Sequence, residues 1–387
     1  MSDFNEQLHT ELEKIRADGL YRTLRNVASA QGPRLVIDGR ECLNFSSNDY
    51  LGLANDPILR RAAVGAIDKY GVGAGASRLV CGNVEPYAVL EERLARFKNK
   101  EAAIVFGSGY AANVGTITAL VGEGDVVILD KLDHASIIDG ARQSGATIRV
   151  YPHRNVKKLE DILKSTEARR VLIVTETVFS MDGDLAPLAE IVSLKEKYGA
   201  WLMIDEAHAT GLYATNRRGL AEAVDVEGKI DVTLGTLSKA LGCAGGFVAG
   251  SQPLIDFLRN RARSFIYSTA QPPSIVAAAA AAVGFVMSDA GNGRRDQLWR
   301  NVSEMKNGLS ALGIQNESRS AIIPIVVGEV TSAVEMSRKL FERGVFVPAI
   351  RFPSVPRGKA RLRVTVTAAH ESTDIARFLE VFNDLAC

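Results

Sequence analysis

Cysteine is scarce in this sequence of 387 residues. The four cysteines, Cys42, Cys81, Cys243 and Cys387, stand far apart and form no Cys-x-x-Cys pair. Zinc sites and the disulfide frameworks of small secreted proteins both need clustered cysteines, so we expect neither a metal site nor disulfide bonds. The pattern fits a protein of a reducing compartment.

An excess of charge of one sign is also missing. The 46 basic and 45 acidic residues give a formal net charge of +1, and no block of like charge stands out. Nucleic acids and anionic membranes attract clustered basic side chains, so neither is an expected partner. A phosphate-bearing ligand would have to be bound by a local site.

No uncharged apolar run reaches the roughly 18 residues that a membrane-spanning helix needs. The longest run, from Ser274 to Met287, holds six consecutive alanines, Ala277 to Ala282, and predicts a tightly packed buried helix. The first residues lack the basic start and apolar stretch of a signal peptide. We therefore expect a cytoplasmic protein.

The chain is longer than one hydrophobic core usually serves, so more than one domain is expected. We predict an N-terminal helix and hairpin segment at 1–50, a large cofactor-binding domain at 51–288 and a small α+β domain at 289–387. The hairpin is expected to turn at Asp38-Gly39. Glycine and charged residues at 288–295 mark the last boundary.

Short apolar or β-branched runs alternate with helical patterns in the middle of the chain. The runs lie at 102–106, 126–129, 147–151, 171–174, 201–204 and 232–234. This alternation predicts an α/β fold with a mostly parallel sheet and helices on both faces. Such sheets bind their ligands at the carboxyl ends of the strands. A glycine-rich stretch at 71–78 departs from the dinucleotide-binding pattern, because Ala76 replaces the third glycine and no strand precedes it.

One lysine stands out near the end of these runs. Lys239 lies in a stretch of small, apolar, hydroxyl and glycine residues at 233–250. Partial desolvation in such surroundings makes an amine a nucleophile toward a carbonyl group. A lone lysine of this kind is more often one that extends from the end of a buried strand toward water.

A carboxylate at an earlier strand end changes that balance. Asp205 closes a buried run and precedes Glu206 and His208, a pattern that also occurs in nucleic-acid helicases. The helicase reading fails because no Gly-x-x-x-x-Gly-Lys-Ser/Thr loop exists, and a zinc site lacks further closely spaced ligands. Pyridoxal 5'-phosphate needs a lysine for a Schiff base and a carboxylate for its pyridine nitrogen, and Lys239 and Asp205 supply both.

Other strand ends offer groups for the same cofactor. Gly109 and Tyr110 open a helix after a glycine turn, where free N–H groups suit a phosphate. Ser180 and Thr236 add hydroxyl groups, and His134 is placed to stack on the ring. Taken singly, such a turn is usually a simple strand-to-helix connection, and a lone histidine is usually a cap.

Five segments carry a resemblance to a known family. They are Asn44–Gly52, Ser77–Gly82, Asp205–Gly211, Gly235–Lys239 and Ala368–His370. Together they resemble the α-oxoamine synthases, which are pyridoxal-phosphate enzymes of fold-type I. The resemblance implies a mostly parallel seven-stranded central sheet with helices on both faces, plus a small α+β C-terminal domain.

Three further segments are most similar to the branch of that family that serves biotin biosynthesis: 265–273, 350–356 and 361–363. The implied reaction is a decarboxylative condensation of L-alanine with a pimeloyl thioester of CoA or a carrier protein, which makes the chain a PLP-dependent acyltransferase. An alternative within the family condenses glycine with acetyl-CoA. A non-catalytic regulatory subunit is a third possibility, and the presence of Lys239 argues against it.

The resemblance also implies roles for single residues. Lys239 would hold the cofactor and then act as general base, Asp205 would bind the pyridine nitrogen, and His134 and His208 would contact the ring and its phenolic oxygen. The remaining cofactor contacts would be Gly109, Tyr110, Ser180 and Thr236. The expected substrate contacts are Arg22, Asn48, Ser77, Ser354 and Arg363, with Arg363 best suited to a carboxylate.

Some expectations from the resemblance concern assembly and departures from the family pattern. The active sites would lie at the interface of a homodimer, with Ser268 and Thr269 reaching the partner's phosphate. Arg25 is a close rival of Arg22. The family's Pro-Pro-Thr is replaced here by Phe352–Ser354, which puts the acyl chain length in question, and Glu206 stands where aspartate is common.

Overall fold

The structure is a computed structural model of the chain, and it describes residues 3–386. Cys387 lies outside the described residues. One compact unit comprises Asn48–Trp299, and the other comprises the described residues before Asn48 and after Trp299. The predicted boundaries at residues 50 and 288 stay a prediction, although the segment predicted as the second boundary is helical from Asp289 onward.

The strands within the described residues, in chain order, are β1 (Arg34–Ile37), β2 (Arg40–Asn44), β3 (Ala102–Phe106), β4 (Val126–Asp130), β5 (Thr147–Tyr151), β6 (Val171–Glu176), β7 (Trp201–Asp205), β8 (Val232–Thr236), β9 (Gly246–Gly250), β10 (Ile322–Gly328), β11 (Val345–Phe346), β12 (Ala349–Ile350) and β13 (Ala360–Thr365).

The α-helices of the same part of the chain are α1 (Phe4–Ala17), α2 (Pro57–Tyr70), α3 (Pro86–Phe97), α4 (Gly109–Leu120), α5 (Ala135–Ser144), α6 (Val156–Lys164), α7 (Leu188–Tyr198), α8 (Leu220–Ala223), α9 (Gln252–Arg261), α10 (Arg263–Ile266), α11 (Pro273–Met287), α12 (Asp289–Ala311), α13 (Val330–Glu342) and α14 (Ser372–Ala386). A π-helix spans Arg78–Gly82, and a 3₁₀ turn spans Glu227–Lys229.

The larger unit is built on a seven-stranded sheet in the order β3-β9-β8-β7-β6-β4-β5. All of its strands run parallel except β9, which pairs antiparallel with both β3 and β8. The predicted mostly parallel α/β sheet is therefore confirmed. The sequence pattern predicts six of the seven strands, whereas β9 lies in the glycine-containing stretch at 233–250, where the pattern predicts no further strand.

Alternation along the strands explains why helices cover both faces of this sheet. On β7, Met203 joins one apolar cluster, with Ile117 and Leu258 from helices α4 and α9. Its neighbours Leu202 and Ile204 point the other way, into a second cluster with residues of α6 and α7. Because both faces are buried, the central strands consist of nearly continuous apolar residues.

The predicted alanine-rich helix is also confirmed. Helix α11 buries Ala278, Ala279, Ala280 and Ala282, whose small side chains allow close packing against neighbouring helices. Among the described residues, no single helix has the length and apolarity to cross a membrane. Helices α11 and α12 pass that test only as a pair, with a bend of 78° between them.

The smaller unit contains two three-stranded sheets, β1-β2-β11 and β10-β13-β12. The predicted hairpin is present between β1 and β2, with Asp38 and Gly39 both at positive φ, as a tight two-residue turn requires. Helix α1 begins at a capping box formed by Asp3 and Glu6. Its apolar residues are exposed rather than part of a core.

Candidate active site

The carboxyl ends of the parallel strands of the larger unit enclose a cavity of about 230 Å³. Most of the lining residues are of polar type, and they come from the ends of β6, β7 and β8, from the segments that follow β3, β4, β7 and β8 and from the starts of α4 and α5. These residues are Ser108, Gly109, Tyr110, Asn113, His134, Ser136, Glu176, Asp205, Ala207, His208, Thr236, Ser238 and Lys239. Seven of the eight residues predicted to bind the cofactor are among them, and Ser180 is the exception.

Asp205 is held at both carboxyl oxygens. Asn113 donates from Nδ2 to Oδ2 over 2.8 Å, and the backbone N–H of Ala207 donates to Oδ1 over 2.8 Å. The residue is 5% exposed at the end of β7. A buried carboxyl group with two fixed donors keeps one orientation, and it can face a cationic N–H of a ligand in the cavity.

The imidazole ring of His208 lies between the amine of Lys239 and the hydroxyl of the buried Tyr50. Lys239 Nζ is 2.8 Å from Nε2 of His208, and Nδ1 of the same ring is 2.5 Å from the hydroxyl of Tyr50. Lys239 follows β8 in a short turn closed by the N–H of Gly242 donating to the Lys239 carbonyl over 2.8 Å. This turn fixes the backbone of Lys239, and its side chain lines the cavity.

His134 caps helix α5 at the mouth of the cavity. Its Nδ1 accepts from the Ser136 N–H over 3.2 Å and lies 2.7 Å from the Ser136 hydroxyl. The ring is exposed on one side, and partial desolvation lowers the pKa of His134, against a raising effect of Asp205. A neutral imidazole that lines a cavity can stack on an aromatic ligand.

The first turn of α4 opens onto the cavity at Ser108, Gly109 and Tyr110. Ser108 caps the helix by accepting from the Ala111 N–H over 3.0 Å, and Gly109 begins it. A side chain on Gly246 of β9 would lie 2.5 Å from the Ser108 carbonyl oxygen and 2.7 Å from Gly109 N. Glycine at 246 therefore permits the close approach that brings the helix N-terminus to the cavity.

Hydroxyl groups at the end of β8 lie beside this turn. Thr236 Oγ1 is 2.8 Å from Ser238 Oγ and donates to the Gly245 carbonyl over 2.9 Å. Tyr110 is half-exposed, and its hydroxyl donates to Asp139 over 2.7 Å. The predicted phosphate contacts Gly109, Tyr110 and Thr236 therefore share one end of the cavity.

Sequence reasoning missed Glu176, which ends β6 beside Asp205 in the sheet. Its buried carboxyl group lines the cavity and accepts from the Ser180 N–H at Oε2 over 3.1 Å. Burial, and then the charge of Asp205, raise the pKa of Glu176 to about 8. A protonated carboxyl group can donate a hydrogen bond, and Oε1 of Glu176 has no partner among the described residues. The position of Glu176 at a strand end was the available signal.

Ser180 itself stands back from the cavity, where its backbone supports Glu176. Glu206 also points elsewhere: its Oε2 accepts from Lys98 Nζ over 2.8 Å, and its Oε1 accepts from the Ala221 N–H over 3.0 Å. Glutamate at 206, where the family commonly has aspartate, therefore forms a buried ion pair with Lys98 and does not line the cavity.

The predicted substrate contacts are distributed over both units. In the larger unit, Asn48 Oδ1 accepts from the Tyr50 hydroxyl over 3.3 Å, and Ser77 forms a β-bridge with Thr269. In the smaller unit, Arg22 and Ser354 are exposed. Arg363 is buried on β13 and donates from Nη1 to Thr365 over 3.1 Å. Their roles stay predictions.

Arg25 differs from its rival Arg22. It pairs with Asp38 over 2.9 Å, and its guanidinium lies 4.3 Å from the ring centre of Phe341. Arg25 therefore has a structural role within the smaller unit, which favours Arg22 as the residue available to a ligand.

The donor set of the cavity fits pyridoxal phosphate. Asn113 Oδ1 is buried without a hydrogen-bond partner beside the cavity, so the lining retains an unsatisfied polar atom that a ligand can meet. An amine, a fixed carboxyl group and a helix N-terminus surround the same space, and they match an aldehyde, a pyridine nitrogen and a phosphate. Among residues 3–386, no group of histidine, cysteine or acidic side chains is arranged to hold a metal ion.

Comparison with known proteins agrees with this geometry. The sequence model of the aminotransferase class I and II family matches residues 40–382, and the chain belongs to that family. It is 51% identical to the 8-amino-7-oxononanoate synthase of Geobacter sulfurreducens over 369 residues, which cover 95% of this chain and 94% of the relative. The resemblance found in the sequence motifs is confirmed.

Two solved structures share the fold over nearly the whole chain. A serine palmitoyltransferase with a PLP internal aldimine superposes with a TM-score of 0.93 at 34% identity, over 99% of this chain and 98% of that one. The 8-amino-7-oxononanoate synthase of Francisella tularensis gives a TM-score of 0.77 at 29% identity, over 89% and 98% of the two chains. The predicted fold-type I architecture is confirmed.

Proposed function

We propose that this chain uses pyridoxal phosphate to condense L-alanine with a pimeloyl thioester, giving 8-amino-7-oxononanoate, CO₂ and the free thiol. This is an acyltransferase step of biotin biosynthesis. The observation that carries the proposal is the joint placement of Lys239, Asp205, His134 and His208 around one cavity. The identity of about one half to synthases named for that product supports the choice of substrates.

Pyridoxal phosphate supplies, when bound, an electron sink for the electron pair left at the amino acid's Cα. Asp205 would keep a proton on the pyridine nitrogen, because its two carboxyl oxygens are already oriented by Asn113 and Ala207. A carboxyl group free to rotate would lose part of that interaction in each turnover.

Lys239 would hold the cofactor covalently through Nζ and, once displaced by alanine, take the proton from Cα. Its contact with His208 orients the amine within the cavity. His208 would donate to the phenolic oxygen of the ring, and His134 would stack on the ring face.

The N-terminus of α4 would hold the phosphate. The backbone N–H groups of Gly109 and Tyr110 and the positive end of the helix dipole would face the negative charge, with Thr236 lining the cavity beside them. Gly109 and Tyr110 complete the proposed set of cofactor contacts, whereas Ser180, which stands back from the cavity, would act by supporting Glu176.

Arg363 would bind the amino-acid carboxylate, since a planar guanidinium pairs with it through two parallel hydrogen bonds. Arg22, Asn48, Ser77 and Ser354 are the further substrate contacts that we propose.

We further propose a homodimer. Large apolar side chains are exposed on two segments joined by the Ser77–Thr269 bridge: Val72 (74%), Val80 (77%) and Tyr267 (71%). Exposed apolar surface of this extent favours a protein partner, and a second copy accounts for the exposed Ser268 and Thr269 beside it. Val80→Lys should lower the dimer fraction in sedimentation, whereas Val150→Lys, on an exposed edge strand, should not.

The proposed compartment is the cytoplasm. Cys42, Cys81 and Cys243 are all unpaired thiols, as a reducing compartment keeps them.

The deciding experiment is a substrate comparison with the purified protein loaded with pyridoxal phosphate. Alanine and glycine are each combined with pimeloyl-CoA and acetyl-CoA, and the products are identified by mass spectrometry. We expect one efficient pair, alanine with pimeloyl-CoA, and no product from Lys239→Ala. Preference for glycine with acetyl-CoA would overturn the substrate assignment and leave the cofactor assignment intact.

A further inference from the structure

Tyr50 contacts the active-site histidine from outside the cavity. Its side chain is 1% exposed, and its hydroxyl lies 2.5 Å from Nδ1 of His208. The two rings are tilted by 60° with centres 6.0 Å apart, so the hydroxyl rather than the ring face makes the contact. Nε2 of the same histidine faces Lys239 Nζ at 2.8 Å. One imidazole therefore connects the tyrosine to the lysine.

The backbone fixes Tyr50 relative to the lysine. Asp49 accepts from the N–H groups of Leu53 and Ala54 over 2.8 and 3.0 Å, which closes the loop that carries Tyr50. A side chain on Gly242, in the turn after Lys239, would lie 2.5 Å from Ala54 N. The backbones of the two loops thus pack directly against each other, so a displacement of one loop displaces the other.

The chemistry of His208 explains why its outer partner is a hydroxyl. A neutral imidazole has one donor nitrogen and one acceptor nitrogen. An ammonium on Lys239 can only donate, so Nε2 must accept and Nδ1–H must donate outward. An anionic oxygen in the cavity needs the reverse: Nε2–H donates, and Nδ1 must accept.

A tyrosine hydroxyl serves both arrangements. It accepts from Nδ1–H while donating to Asn48 Oδ1, which is 3.3 Å away, and after rotation it donates to Nδ1. A carbonyl oxygen could only accept and an ammonium could only donate. Other titratable groups nearby are Glu176 and Asp205 on the cavity side and Tyr213 beside Tyr50.

We propose that Tyr50 is a positioning residue that acts through His208. Its hydroxyl holds the imidazole in one place whether the ring accepts from Lys239 or donates to the phenolic oxygen of the cofactor. The second of these states rests on the proposed function. The first is a property of the protein alone.

The tautomer of His208 is a direct test on the full chain. Long-range ¹H–¹⁵N spectra with labelled histidine resolve the five histidines, and the signal missing in His208→Asn identifies His208. Without cofactor we expect the proton on Nδ1, and with pyridoxal phosphate bound we expect it on Nε2. The same tautomer in both states would overturn the proposal without the use of any Tyr50 variant.

Tyr50→Phe keeps the buried ring and removes the hydroxyl. We expect kcat to fall about tenfold with KM within about twofold, as for the loss of one buried hydrogen bond near the reacting groups. In a His208→Gln background the same change should cost less than about twofold, because the residue that transmits it is gone. Equal losses in both backgrounds would contradict an action through His208.

Tyr151→Phe is the matched control, since Tyr151 is also 1% exposed and lies on β5. It should leave the His208 signal and kcat as in the parent. If the parent makes no condensation product at all, the proposed function fails, and an unchanged His208 signal in cofactor-free Tyr50→Phe would separately overturn the role of Tyr50.

Discussion

Asn113 and Asp205 are 92 positions apart in the chain, yet Nδ2 of the amide donates to Oδ2 of the carboxyl group over 2.8 Å. The amide sits on α4, the helix that also presents its N-terminus to the cavity. One helix therefore orients both the group proposed for the pyridine nitrogen and the site proposed for the phosphate. Under the proposed function, one helix would therefore position both ends of the cofactor.

Replacing Asp205 by asparagine should remove the charge that favours a protonated pyridine nitrogen. Both oxygens of Asp205 accept hydrogen bonds, from Asn113 and from the Ala207 N–H, whereas the NH₂ group of an asparagine could not accept either of them. We expect kcat to fall about tenfold to a hundredfold in steady-state assays. Asp231→Asn, just before the amino end of β8 and outside the cavity lining, is the control. Near-parental turnover of Asp205→Asn would refute the assigned role.

Lys239 should be the lysine that carries the cofactor. Borohydride reduction of the loaded protein, followed by peptide mass mapping, should place the pyridoxyl group on this residue alone. Lys98 is an internal control, because it is buried and its Nζ is bound by Glu206 and Thr210, each at 2.8 Å. A label on Lys98 or on any other lysine would count against the site.

Gly246→Ala should weaken cofactor binding. The added methyl group would meet the backbone of Ser108 and Gly109, so the turn that begins α4 must shift. We expect the Kd for pyridoxal phosphate to rise about tenfold and the free energy of unfolding to fall by about 1–3 kcal/mol. Absorbance titration and thermal melting measure these effects.

Gly228→Ala is the control for this change, because a side chain there meets open space. Unchanged cofactor affinity in Gly246→Ala would show that the turn does not hold the phosphate.

His370 should lower the free energy of unfolding as the pH falls below about 6.5. It is 2% exposed in the smaller unit, accepts from the Thr367 N–H and stacks on Phe45, and its burial lowers the pKa of His370 to about 4. The unfolded chain binds this proton near pH 6.5 and the folded chain only near pH 4. Stability is therefore full above pH 6.5 and falls by about 3 kcal/mol as the pH drops to 4.

Urea unfolding of His370→Gln at several pH values tests this dependence. The variant should be less stable at neutral pH and should lose less between pH 6.5 and 4, whereas His9→Gln, on the exposed helix α1, should follow the parent. An identical pH slope in parent and His370→Gln would rule out His370 as the cause.

Local sequence patterns predicted the strands well, because a sheet buried on both faces leaves continuous apolar runs. They missed β9 because Gly246 and Gly250, needed for close packing against Gly109 and Leu254, make a strand look like a turn. They also indicated a helix for α1 without showing that its apolar side chains stay exposed. Periodicity reports the spacing of side chains and not what covers them.

The candidate site shows the same limit. Lys239, Asp205 and His208 were found from motifs, because each lies at a predicted strand end. Asn113 and Tyr50 were not assigned these roles, since their contacts with Asp205 and His208 join positions 92 and 158 residues apart. Such supporting contacts are set by the tertiary arrangement.

The antiparallel strand β9 has a consequence for the order of folding. It pairs β3 from Ala102 opposite Gly250 to Phe106 opposite Gly246, so the turn at 107–109 gains its neighbour only when residue 250 has been synthesised. Pairings of such long sequence separation form late, after the loop-closure entropy has been overcome. During synthesis on the ribosome, we therefore expect the strand that leads into the proposed phosphate site to pair only after β9 has emerged, so that cofactor binding requires the completed sheet.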